Sequence, residues 1–192
     1  MSSVVISWSR TGYASPEEIY SNNKSWLAGE FEKILSDIRK KIMGLDEGFK
    51  LEALSDVKSL EELANNLAAG YTLQTLHSAD HIKIVNNMVD TFNQNALKLK
   101  TKIEFLQIEG KEILKRVENC YQEIDRAVSE KLSSNILPGY KEKFEGIRGQ
   151  LKTIGKLASI KEKERKINLL LNEMQKLVEV YEFAKTIDLT SA

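Results

Sequence analysis

Between Ala79 and Asn135 apolar residues recur at helical spacing for about eight heptads without a proline. The seam runs from Val85 through Phe92, Ile103, Ile113 and Ile124 to Val128 in steps of three and four. A helix of this length is roughly 85 Å long at ~1.5 Å rise per residue, so it needs partner helices, or partner chains, along its whole length. That requirement narrows the fold to a coiled coil or a helical bundle before any other residue is read.

The flanking segments supply helices of the same kind. Ser15-Pro16-Glu17-Glu18 has a serine at the N-cap, a proline where its missing donor costs nothing, and two acids on the positive helix end. The helix it opens carries Trp26, Phe31, Ile34, Ile38 and Ile42 and stops at Gly44. Ser59 with Glu62 reads as a capping box for a short helix over 60–69, with Gly48 in the loop before it. After the central helix, Leu137-Pro138-Gly139 forces a reversal. Two stripes follow, Phe144 to Ile154 and Ile167 to Tyr181, joined by the charged run Lys161 to Lys166. Ser159 and Glu162 offer a second capping box there, but the run lacks turn formers, so the return arm reads as one kinked helix.

The expected fold is therefore all-α: an elongated helical bundle, built as an antiparallel coiled-coil hairpin with a shorter N-terminal helical pair. A short extended arm over 1–14 precedes a single bundle domain over 15–192, with helices at about 16–43, 60–69, 79–135 and 139–187. An antiparallel hairpin about the Leu137-Pro138 turn places Cys120 opposite Ile154. In the arm, Val4, Ile6 and Trp8 alternate at a period of two, a strand signal with no other strand in the chain to join. Together with Tyr13 they form the candidate partner-binding residues.

Composition bears mainly on function. Lysine and arginine equal aspartate and glutamate, 28 of each, so there is no global field to draw nucleic acid or an anionic membrane. Locally, Gly139 to Lys166 holds nine cations against four acids. Lys141, Arg148, Lys152 and Lys156 are the candidate contacts to an anionic surface. No stretch is apolar enough to span a membrane and no cleavable signal opens the chain, which makes cytoplasmic the default location.

Nothing in the sequence carries a reaction. It has two histidines, one cysteine, no glycine-rich phosphate loop and no nucleophile elbow. His77 and His81 are four apart, but if Ser78 caps the central helix His77 lies outside it, so the pair makes no metal site. No cofactor and no small-molecule substrate is expected. The leading expectation is a non-enzymatic interaction protein or structural subunit, binding protein partners or further copies of itself through helix faces and the N-terminal arm. The alternatives are a membrane-active bundle with the general architecture of α-helical pore-forming toxins, and nucleic-acid binding through the basic return helix.

Overall fold

The structure is a computed structural model and describes residues 15–72 and 78–190. Among these, every regular element is an α-helix: α1 Pro16–Met43, α2 Glu47–Gly70, α3 Ala79–Ser133, α4 Lys141–Gly155 and α5 Ile160–Thr190. The chain is all-helical, and its helices bury their apolar stripes against one another. The arm residues Val4, Ile6, Trp8 and Tyr13, and His77, lie outside the described residues.

α1 starts as its sequence dictates. The Ser15 hydroxyl accepts the Glu18 backbone N–H, and the Glu18 carboxylate accepts the Ser15 N–H, a reciprocal capping box. Gly44 caps the other end. α3 is unbroken through Gly110, and the seam residues Val85, Phe92, Ile103, Ile113, Ile124 and Val128 are all buried.

α2 begins at Glu47, not near Leu60. The reason is a stripe that precedes Ser59: Phe49, Ala53 and Val57 are buried in register with Leu60, Ala64 and Leu67. Gly48 is tolerated in the first turn because the Asp46 carboxylate accepts its N–H at 3.0 Å. Ser59 is thus a helix-interior residue, its hydroxyl donating to the Ser55 carbonyl.

The chain divides into two compact units, Met1–Leu45 with Phe49–Gln107, and Asp46–Gly48 with Ile108–Ala192. In the first, α1 and α2 are antiparallel: Tyr20 stacks on Tyr71 while Arg39 reaches Glu61. α2 and α3 are antiparallel too, since Lys102 pairs with Asp56 and Met88 lies beside Gly70. α1 and α3 run parallel, Phe31 meeting Phe92 at 4.5 Å and Lys41 meeting Glu104. This is an up-down-up three-helix bundle around Phe31, Ile38, Phe49, Leu67, Phe92 and Ile103.

The second unit repeats that topology with the remainder of α3. α4 is antiparallel to α3, with Arg148 at Ser129 and Gly155 at Tyr121. α5 runs parallel to α3: Arg116 pairs with Glu164, Cys120 lies at Asn168, and Lys131 pairs with Glu182. The expectation of one kinked return helix over 139–187 is therefore corrected. The chain turns at 156–159, just after Gly155, and α5 retraces the direction of α3. Cys120 lies 3.8 Å from Asn168 of α5, while α4 still pairs with α3 about the Pro138 turn, Gly155 beside Tyr121. Two caps hold the break. The Ser159 hydroxyl accepts the Glu162 N–H, and both Asp46 carboxylate oxygens accept the Ile160 N–H, at 3.1 and 3.0 Å. The Pro138-Gly139 turn stands as read, with Gly139 at φ +82°, a conformation that side chains with a Cβ disfavour.

Candidate interaction surfaces

The inner stripe of α5, Ile167, Leu170, Met174 and Tyr181, packs into the second unit's core. A second stripe lies outside it on the same helix. Lys166, Leu169, Glu173, Lys176, Val180 and Phe183 advance by three, four, three, four and three, so they share one face of α5. Its apolar members are open to solvent: Leu169 is 59% exposed, Val180 55% and Phe183 69%. Isolated exposed apolar side chains are common on any surface, but a series at helical spacing is the footprint of a helix that packs against something.

Beside this stripe lies a groove of about 570 Å³ between α4 and α5, lined among others by Gly149, Thr153, Leu157, Leu169, Leu170 and Glu173. Gly149 is part of its wall, and the space a Cβ would occupy there is open, with no other atom within 4 Å. Lys166 at the rim is held by Glu162 at 2.9 Å, one turn before it. The surface is thus concave, largely apolar and edged by charge, which suits an amphipathic helix laid into it.

The four basic candidates also come together. Lys141, Arg148, Lys152 and Lys156 fall within an arc of roughly 80° along α4 and its C-cap, at ~100° per residue. Lys141, Lys152 and Lys156 are exposed, and Arg148 donates to the Ser129 hydroxyl at 3.2 Å, which ties it to α3. Glu145 sits inside the same arc and dilutes its charge. The apolar side of α4, Phe144, Ile147, Leu151 and Ile154, is buried in the bundle and so is not available to lipid. No helix is long and apolar enough to cross a membrane among the described residues.

Sites for chemistry are sparse. No group of three or more His, Cys, Asp or Glu side chains is placed to hold a metal among the described residues. Ser78 accepts the His81 backbone N–H at 3.4 Å, so His81 lies in the first turn of α3 behind its cap. Burial, with Glu123 and Glu164 nearby, pushes the Cys120 thiol above its ordinary pKa, and its sulfur lies 3.8 Å from the Asn168 amide oxygen. It is a thiol lining the bundle.

Sequence reasoning took only the inner stripe of α5. The outer one was readable as a second three-four repeat one residue out of step with the first, interrupted by Glu173 and Lys176. No family model matches the chain, and neither a curated protein nor a solved structure matches it.

Proposed function

We propose that this chain is a non-catalytic interaction module, a structural subunit that docks helical partners on the α4–α5 face of its second unit. The observation that carries this reading is the exposed series Leu169, Val180 and Phe183 on one face of α5, whose first member lines the groove shared with Gly149 of α4. A groove with flanking apolar anchors at helical spacing binds through a few side chains that exclude water, with a charged rim setting orientation. The N-terminal arm, with Val4, Ile6 and Trp8 at period two, is the second contact in this reading. The basic row on α4 ranks below the groove because Glu145 interrupts it.

The test is affinity capture from the native source with the full chain as bait, beside a Leu169→Glu, Phe183→Glu double variant. Both side chains are exposed, so circular dichroism should show unchanged helix content. The expected result is a stable complex with the native chain and none with the variant. Equal capture by both would show that this face docks nothing.

A further inference from the structure

We infer that Asp46 is a positioning residue for the α4–α5 groove: from the connection between α1 and α2, its carboxylate holds the bend that shapes one end of that groove. The inference rests on reading the groove as a docking surface and adds the residue that governs its shape.

The bend has no terminator of its own. Lys156 to Lys163 contains neither proline nor glycine, and its lysines, Leu157, Ala158 and Glu162 are good helix formers. Lys156, the C-cap of α4, keeps the right-handed helical conformation at φ −85°. The turn between α3 and α4 is different, since Pro138 and Gly139 at φ +82° end a helix by themselves. Left to local preference, 156–163 would carry α4 onward as helix.

What bends it comes from residues 46–48, which belong to the second unit although they lie between α1 and α2 in the chain. Both Asp46 carboxylate oxygens accept the Ile160 N–H, at 3.1 and 3.0 Å, and one of them accepts the Gly48 N–H at 3.0 Å. In a continued helix the Ile160 N–H would turn to the carbonyl four residues back, so the carboxylate and the continued helix compete for one donor. A charged acceptor at the positive end of α5 makes the stronger claim on it. Gly48 lets the connection lie close, for a Cβ there would stand 3.0 Å from the Ser159 hydroxyl oxygen.

The bend is also a wall of the groove. Ile154 and Leu157 line it from the α4 side and Lys166 from α5. Leu157 sits in the bend, its N–H accepted by the Ile154 carbonyl at 3.1 Å. Lys166 is held by Glu162 at 2.9 Å, and the Glu162 N–H is in turn accepted by the Ser159 hydroxyl. Farther along, Ile167, Leu170 and Met174 are buried, so releasing Asp46 alters the first turns of α5 and leaves the rest seated. The groove then loses its Leu157–Lys166 end and keeps Leu169.

The test uses the full chain in a Cys120→Ser background, with nitroxide labels on Gln150→Cys of α4 and Arg165→Cys of α5, two exposed positions. The distance between the labels should be narrowly distributed in this background and in Asp46→Asn, because the asparagine oxygen still accepts the Ile160 N–H. In Asp46→Ala it should broaden or shift, and amide exchange over 157–163 should quicken by roughly tenfold or more, as loss of a charge-assisted bond allows. Exchange over 167–181 should hold. A contribution to overall stability alone would quicken both segments, so equal acceleration of the two overturns the inference, as does an unchanged distance distribution in Asp46→Ala. If Asp46→Ala does not fold, Asp46→Ser, whose shorter side chain withdraws the acceptor, is read in the same way. In capture from the native source, Asp46→Ala should hold its partner roughly tenfold more weakly and Asp46→Asn as the native chain does. Undiminished capture by Asp46→Ala overturns the inference and leaves the docking reading intact. Equal capture by the Leu169→Glu, Phe183→Glu variant removes the docking reading, and the label distances then decide whether Asp46 shapes the groove.

Discussion

Tyr181 shows how much one residue can carry in a three-helix core. It is almost wholly buried, with Phe144 meeting its ring edge-on at 5.7 Å, Tyr140 at 5.3 Å, and the Lys131 ammonium 5.4 Å from its centroid. Its hydroxyl, though buried, has no hydrogen-bond partner among the described residues. The ring and the hydroxyl therefore contribute with opposite sign. Tyr181→Ala removes the ring and leaves a cavity, an expected loss of about 3–5 kcal/mol. Tyr181→Phe removes only a polar group that gave up water for nothing, and stability should hold or rise by up to about 1 kcal/mol. Urea denaturation of the two variants checks this, and a substantial loss in Tyr181→Phe would show that the hydroxyl is bonded after all. From sequence Tyr181 was legible as a core position by its place after Leu177; its stranded hydroxyl depends on what Tyr140 and Phe144 place around it, which no local pattern encodes.

Among the elements, the stripes and the Ser15 cap were legible because both are local: the residues that decide them lie within a turn or two. What misled was the choice between two serines with the same signature. Ser59 precedes Glu62 and Ser159 precedes Glu162, yet the first lies inside a helix and the second starts one. The difference lies outside the shared signature. The stripe Phe49, Ala53 and Val57 carries α2 back past Ser59 to Glu47, whereas the start of α5 is held by Asp46, 114 residues away in sequence. Ser59→Ala should therefore be neutral or slightly stabilising, by up to about 0.5 kcal/mol, since alanine is the better helix former. Ser159→Ala should cost about 1 kcal/mol as a lost N-cap. Paired thermal melts distinguish the cases, and equal losses at the two sites would mean that Ser59 caps a helix in solution. The outer stripe of α5 was missed for a different reason: Glu173 and Lys176 break its hydrophobicity, so only a search for spacing without regard to polarity finds it.

On the scale of the molecule, α3 is the common member: one unbroken helix of 55 residues supplies the third helix of the first unit and the first helix of the second. The sequence showed that such a helix needs partners along its whole length. It did not show that they come as two sets of two, because the turn at 156–159 and the early start of α2 were both hidden. With a short helix at 60–69 and a single return arm, the same residues read as one bundle over 15–192. Two units on a shared helix predict a specific pattern of local stability. Phe31 packs on Phe92 in the first core, and Phe144 packs on Tyr181 in the second. Truncating either phenylalanine to alanine should remove about 3–5 kcal/mol from its own core. Hydrogen exchange should then show Phe144→Ala losing protection in α4, α5 and the part of α3 after Gln107, while α1 and α2 keep theirs. Phe31→Ala should do the converse, with the change in protection falling off along α3 from one half to the other. Loss spread evenly over all five helices in both variants would show instead that α3 binds the two cores into one cooperative block, the single domain its uninterrupted stripe first suggests.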